Sequence, residues 1–200
     1  MTVETPLTHA DSIVIARSAA DLYDMISDVT RMGEWSPVCK ACWWDDGSGP
    51  VVGSWFTGRN ELAGRDPWET RSQVVAAAPG EEFAFMVGGT LARWGYTFTE
   101  ADGGTRVTES WEMRPAGVER FKERYGPDAE AQVRNRFEAA RTGIPVTLAA
   151  LKRVAEAGSL CLVIVGRRPR GDDRRVPGGP ARAERLPWRG SMGRCCARRR

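Results

Sequence analysis

Short apolar and β-branched runs separated by turn residues fill the middle of this chain, and a three-and-four spacing of apolar residues replaces them towards residue 157. Ser12 to Arg17 (SIVIAR) reads as a first strand. Ser18 follows as an N-cap with Asp21 three residues on, a box-like start to a helix whose apolar face is Leu22, Tyr23, Met25 and Ile26. Asp28 caps a second short helix from Val29 to about Glu34. It must end near Ser36, because Pro37 disfavours helical backbone in the residue before it.

Six further strands are predicted: Ala41 to Trp44, Gly53 to Asn60, Trp68 to Ala77, Glu82 to Val87, Ala92 to Glu100 and Thr105 to Met113. The joints carry turn chemistry, with Asp45-Asp46-Gly47, Gly64-Arg65-Asp66-Pro67, Pro79-Gly80, Gly88-Gly89 and Asp102-Gly103-Gly104. Consecutive strands at this spacing make hairpins, hence an antiparallel sheet that must curve if it is to close around something. Pro115 to about Tyr125 reads as a helical turn region, and Gly126-Pro127-Asp128 opens a long helix to about Ala157. Val133, Phe137, Ala140, Ile144, Leu148, Leu151 and Ala155 mark its apolar face, while Gly143 and Pro145 predict a kink or break. The fold class is α+β: a curved antiparallel sheet of about seven strands wrapped around a long C-terminal helix, with two short helices after the first strand. Wrapping the sheet on the helix is the simplest way to bury both apolar faces.

Charge divides the chain. Residues 158–200 hold twelve arginines and three acids, a balance of +9, so that the net +3 of the whole leaves residues 1–157 at −6. The folded part is acidic, and its charge gives no reason to expect nucleic acid as a partner. The segment from Arg167 onward, arginine-rich and punctuated by Pro and Gly, buries too little apolar surface to offset chain entropy. It is expected to be disordered, and its lysine-free basic content is what a frameshifted or extended C-terminus would give. Five cysteines without framework spacing, no signal-peptide pattern, and a longest apolar run of only Leu160 to Val165 predict a reduced, cytoplasmic protein with no membrane span.

The element order resembles the helix-grip superfamily (SRPBCC) that includes START lipid-transfer domains, birch-pollen-allergen-type proteins and polyketide cyclase/dehydrases. Asp28-Val-Thr-Arg-Met-Gly-Glu-Trp35-Ser36-Pro37 is similar to that superfamily's second-helix signature. Gly53 to Asn60 (GSWFTGRN), Trp68 before a strand, and Gly103-Gly-Thr-Arg-Val-Thr-Glu-Ser-Trp111 resemble the actinobacterial cyclase-like subgroup. The resemblance spans about residues 8–157 and implies a START-like ligand-binding domain over residues 1–157, with 158–200 as a tail. It is specific for fold and weak for function, because carriers, receptors, allergens and enzymes share it.

Seven of the eight tryptophans fall in the domain: Trp35, Trp43, Trp44, Trp55, Trp68, Trp94 and Trp111. A filled core accounts for them on its own; in a helix-grip protein the same rings also line a cavity. Strand alternation puts Trp94, Tyr96 and Phe98 on one face, and likewise Phe83 with Phe85, and both sets are read as inward. Phe56, Asn60, Trp68 and Trp111 complete the expected ligand contacts. Asn60 would offer an oriented amide, and Arg71 or Ser72 an oxygen contact from the next strand. Glu109 shares the face of Val107, Trp111 and Met113. If that face is concave, Glu109 is a carboxyl in apolar surroundings and the candidate acid or base; if not, it is an exposed strand residue and Thr108 and Ser110 face in.

Other machinery is missing. The single histidine, His9, lies in the N-terminal segment and is read as satisfied or solvated, which removes a histidine triad or His-rich metal site unless that segment folds into the pocket. Cys39 and Cys42 have Cys-x-x-Cys spacing without a second ligand pair and are read as structural. No metal and no cofactor are expected, and nucleotide binding lacks the helix that a phosphate loop requires. The expected function is to bind one small hydrophobic or aromatic molecule, such as a polyketide, lipid or related metabolite. The alternative is a polyketide cyclase/dehydratase-type enzyme acting by conformer selection and proton transfer, since orientation alone can supply about 7–11 kcal/mol. Neither the ligand's identity nor the oligomeric state is legible in the sequence.

Overall fold

The computed structural model describes residues 7–164, with side chains described as far as residue 157, so the arginine-rich tail lies outside the described residues. Strand β1 (Thr8–Ile15) leads through Ser18, whose side chain accepts a hydrogen bond from the Asp21 amide, into α1 (Ala19–Ser27). A 3₁₀ helix (Val29–Glu34) follows, capped by Asp28. Then come β2 (Cys39–Trp44), β3 (Trp55–Leu62), β4 (Arg65–Ala78), β5 (Glu82–Val87), β6 (Ala92–Ala101) and β7 (Gly104–Met113). Helix α2 (Pro115–Tyr125), a 3₁₀ turn (Gly126–Asp128) and α3 (Ala129–Ile164) finish the fold.

All seven strands form one antiparallel sheet in the order β1-β7-β6-β5-β4-β3-β2, a helix-grip arrangement in which the first strand pairs with the last. Register shifts interrupt β2–β3 between Cys39 and Ala41, β3–β4 between Asn60 and Leu62, and β4–β5 between Val74 and Ala76. Such bulges bend the strands that carry them. The predicted apolar face of α3 is the buried one: Val133, Ala140, Ile144, Leu148, Leu151 and Ala155 are all in the core, with Phe137 packed against it. Helix α3 rests on β1 and β7. It is tied there by Arg17 Nε donating to the Ala155 carbonyl at 2.9 Å, Lys152 Nζ to the Val14 carbonyl at 2.8 Å, and the Ala16 amide to Glu156 Oε1 at 3.0 Å.

Four expectations change. Strand β1 begins at Thr8 rather than Ser12, because pairing with β7 extends it through residues of little β-propensity. The segment from Arg65 to Pro67 is strand rather than turn; Pro67 falls where the β3–β4 register shifts, a site that does not require its amide. Pro145 does not break α3, which runs through it. The same helix continues past Ala157 to Ile164.

Candidate functional site

Along β7, Thr105, Val107, Glu109, Trp111 and Met113 are buried, while Thr108, Ser110 and Glu112 on the opposite face are partly exposed. Glu109 therefore faces inward, and the alternative placement of Thr108 and Ser110 is excluded. Cross-strand register sets Tyr96 opposite Glu109, Trp94 opposite Trp111 and Phe98 opposite Val107. Tyr96 Oη donates to Glu109 Oε1 at 2.9 Å. Glu109 Oε2 is buried without a partner. With 3% of its surface exposed, the carboxyl is pushed up to about 8, the desolvation of its charge outweighing the bond from Tyr96, which acts the other way. Burial and the adjacent carboxyl together raise the Tyr96 phenol well above its ordinary range. The pair is therefore a neutral acid next to a neutral phenol at pH 7, with one carboxyl oxygen lacking a mate.

The surrounding face is aromatic. Phe83 and Phe85 lie inward on β5, and Phe56 on β3 meets Phe85 edge-on with ring centroids 5.1 Å apart. Tyr23 of α1 packs edge-on against both Phe83 and Phe98, at 6.4 and 6.1 Å. Trp94 is half-buried and tilts against Trp111 at 6.5 Å, and Trp111 in turn meets Phe137 of α3 at 6.4 Å. Trp68, in register with Asn60 and so on the same face, is half-buried under the Arg65 guanidinium, 4.2 Å from its ring centre.

Asn60 is buried, but its amide nitrogen holds the local strands together, donating to the Gly58 carbonyl and to Thr70 Oγ1, each at 3.1 Å. Ser72 points inward, whereas Arg71 is exposed on the convex face, where it bonds Asp45 Oδ2 at 2.5 Å and lies over Trp55. Sequence reasoning left the choice between Ser72 and Arg71 open; the pairing of Phe56 with Ser72 decides it.

His9 departs from the reading. It sits opposite Trp111 on β1, its ring edge-on to Phe137 at 6.5 Å, and its Nε2 is buried without a partner. The residue is half-buried, with this one ring nitrogen unsatisfied. Starting the first strand at Ser12 concealed this; the alternation that continues from Ile15 back through Ile13 was the available signal. Cys39 and Cys42 are buried, as read, with sulfurs 3.1 Å apart. The bulge after Cys39 brings both onto the inner face. Gly58 leaves them room, since a Cβ there would stand 3.2 Å from Cys42 Sγ. Their mutual hydrogen bond lowers the Cys39 thiol and raises that of Cys42. Among the described residues no group of three or more His, Cys, Asp or Glu side chains is placed to hold a metal ion, and no helix is long and apolar enough to cross a membrane.

Two surface-open clefts are formed. One, of about 380 Å³, lies between Arg17, α1, the 3₁₀ helix and the Val154–Ala155 end of α3. The other, of about 370 Å³, is bordered by Thr8, His9, Ala10, Arg93, Ser110, Trp111 and Glu112. Of the predicted contact residues, Trp111 alone borders either cleft. Thr8, Ala10, Arg93, Ser110 and Glu112 belong to the outer face of the sheet, so the second cleft lies mainly on the face opposite Glu109.

The family described as polyketide cyclase/dehydrase and lipid transport matches residues 7–156. A solution NMR structure of a polyketide-cyclase-like protein from Corynebacterium glutamicum is 44% identical, with a TM-score of 0.59 over 78% of this chain and 96% of that one. The di-domain ARO/CYC StfQ from the steffimycin biosynthetic pathway is 14% identical at a TM-score of 0.58, over 76% of this chain and 51% of that one. An AHSA1-like protein from Aeromonas hydrophila is 17% identical at a TM-score of 0.52, over 76% and 94% of the two chains. These last two share the fold. No curated protein matches the chain.

Proposed function

The chain belongs to the polyketide cyclase/dehydrase and lipid transport family, and on that premise we propose that it encloses one small apolar or aromatic molecule bearing an oxygen function, between the inner face of the sheet and α3. The observation that carries this reading is the Glu109 carboxyl: an unpartnered, buried oxygen in the centre of an aromatic face. A buried polar atom without a mate costs about 1–3 kcal/mol, a cost that a ligand carbonyl or hydroxyl removes on binding. His9 Nε2, on the same face of the adjacent strand, is a second such atom. Since the inner aromatics already touch one another, a ligand must displace side chains there, with α3 giving way at Phe137.

The test is native mass spectrometry of the purified full chain, paired with a fluorescence titration using N-phenyl-1-naphthylamine, a neutral aromatic probe. A co-purifying molecule released on denaturation, or saturable probe binding abolished by Tyr96→Asp, is the expected result. No bound species together with no probe binding overturns the reading.

Catalysis is the second reading, favoured by the carboxyl value of about 8, which leaves Glu109 able to exchange a proton near neutral pH. There the protonated Oε2 donates a hydrogen bond that polarises a ligand carbonyl, Tyr96 holds the other oxygen, and the aromatic walls fix the conformer. Family membership and the reduced cysteines fit a cytoplasmic protein, with the domain proper ending near Ala157.

A further inference from the structure

The Cys-x-x-Cys segment of β2 is built differently from the strand around it. Residues three apart on a regular strand point to opposite faces. Here Cys39 pairs with Asn60 and Ala41 with Arg59, so Lys40 is an extra residue. The bulge leaves Lys40 and Ala41 exposed and puts Cys39 and Cys42 together on the inner face, at 5% and 8% exposure. Two glycines accommodate that geometry. A Cβ on Gly33 would stand 2.6 Å from the Lys40 carbonyl oxygen, so glycine is what lets the 3₁₀ helix come down on the bulge. Gly58, opposite Cys42 in register, carries no side chain where a Cβ would lie 3.2 Å from Cys42 Sγ and 3.5 Å from Cys39 Sγ. Met32 Sδ, from the 3₁₀ helix, lies 3.9 Å from Cys42 Sγ.

Both thiols are free, and their sulfurs, 3.1 Å apart, are roughly 1 Å from the bond length of about 2.05 Å that a disulfide requires. Cysteine serving only as a small apolar filler requires neither a bulge nor a second sulfur in contact. The two thiols also differ. The hydrogen bond from Cys42 outweighs burial and lowers the Cys39 thiol, while the same bond and burial push the Cys42 thiol up. Cys39 is therefore the readier thiolate, and the thiolate is the nucleophile. Strand β2 is an end strand of the sheet, so a local opening of that edge, without global unfolding, exposes the pair.

We propose that Cys39 and Cys42 are a dithiol modification site, which low-molecular-weight disulfides convert to an intramolecular disulfide and thiols restore. The Cys39 thiolate attacks one sulfur of the small disulfide, forming a mixed disulfide and expelling a thiolate. Cys42 then attacks the Cys39 sulfur and expels the second. Each expelled thiolate takes up a proton given up by one of the two cysteines, so the pair is oxidised by two electrons and the small disulfide is reduced to two thiols. In a reducing compartment the dithiol is the resting form, and such pairs cycle rather than persist oxidised. The site stands independently of the binding function argued above.

The test places the full chain in glutathione buffers of stepped reduced-to-oxidised ratio, caps free thiols with N-ethylmaleimide and digests with trypsin. Cleavage after Arg31, Lys40 and Arg59 puts the two cysteines on separate peptides, 32–40 and 41–59, so the disulfide is read as a linked pair that reductant splits. The midpoint ratio for linkage is expected at least about tenfold higher in the native chain than in urea, because the fold already holds the sulfurs in contact. Cys42→Ser should stop at a glutathione adduct on Cys39, and Cys39→Ser should modify Cys42 at least about tenfold more slowly. A native midpoint equal to or below that in urea, both thiols capped at every ratio, or linkage of either cysteine to Cys161, Cys195 or Cys196 instead, overturns the proposal. These outcomes are read on the unaltered chain and hold even where a variant fails to fold. Faster modification of Cys42 in Cys39→Ser than of Cys39 in Cys42→Ser overturns the order of attack.

Discussion

Tyr96 Oη donates to Glu109 Oε1 at 2.9 Å across the β6–β7 pair, and among the described residues no other hydrogen bond reaches either oxygen of that carboxyl. The two residues are directly opposite in register, so the bond is a product of strand alternation and needs no loop to arrange it. It is the one interaction that draws the Glu109 carboxyl back towards its ordinary range.

Tyr96→Phe should therefore move the Glu109 carboxyl above about 8. A titration of its side-chain carbon by NMR reads this directly, and an unchanged or lower value would show that the phenol does not act on the carboxyl. The substitution also removes a buried hydrogen bond, at a cost of about 0.5–1.5 kcal/mol in an unfolding titration.

Stability should depend on pH through Glu109. In the folded chain the carboxyl titrates at about 8 against an ordinary 4.5, so between those values the folded state holds a proton that the unfolded state has released. Stability from this source is fully present below pH 4.5, falls as pH rises through the window, and levels off above about 8. The full span corresponds to roughly 5 kcal/mol at most. Urea unfolding at pH 5, 7 and 9 checks it: Glu109→Gln should flatten the slope and be the more stable protein at pH 9. A parallel pH profile in both proteins would place the carboxyl in water.

Much of this arrangement is legible in the sequence, because alternation is a local property. The inward set Trp94, Tyr96 and Phe98, the shared face of Glu109 with Val107 and Trp111, the buried stripe of α3 and the Ser18 and Asp28 caps follow from periods of two and 3.6 and from capping chemistry, whereas the side on which Glu109 falls is settled by the sheet. What sequence could not supply comes from partners distant in the chain. Nothing near Thr8 marks it as strand until β7 lies beside it. Arg71 and Ser72 are equivalent on paper, and the register with Phe56 separates them.

Glu109→Gln also separates carrier from enzyme. A carrier should keep its ligand affinity in this variant. An enzyme that moves a proton through the carboxyl should lose turnover by roughly 10²–10⁴-fold and still bind. Calorimetry and product analysis on whatever ligand co-purifies make the paired measurement, and equal affinity with no turnover in either protein removes the catalytic reading for that ligand.

Gly117→Ala in α2 has a sign that propensity alone gets wrong. An alanine in a helix ordinarily gains about 1 kcal/mol over glycine. Here the added Cβ would stand 2.2 Å from the Leu91 carbonyl oxygen, a backbone atom that cannot swing away. The variant should lose roughly 1–3 kcal/mol in thermal or urea unfolding. A stabilised variant would show that α2 can slide off the β5–β6 turn.

A chain ending at Ala157 should fold with a thermal midpoint within a few degrees of the full chain. The bonds that tie α3 to β1, from Lys152, Ala155 and Glu156, all lie before that point. Insoluble protein would show that the segment continuing α3 to Ile164 takes part in the core.

The pairing of β1 with β7 also sets a schedule for synthesis. Ser12 and Arg106, neighbours in the sheet, are 94 residues apart, and Lys152 meets Val14 across 138. At about 5–20 residues per second on the ribosome, the first strand emerges many seconds before its partner exists. Hairpins β2 to β7 close early, each on its own turn, while the Ile13-Val14-Ile15 end of β1 waits as a bare apolar edge. Closing so long a loop is slow, and an unpaired strand is a template for the wrong neighbour. The polar half of β1, with Thr8, His9, Asp11 and Ser12, keeps the nascent strand in water until β7 and then α3 arrive to claim it.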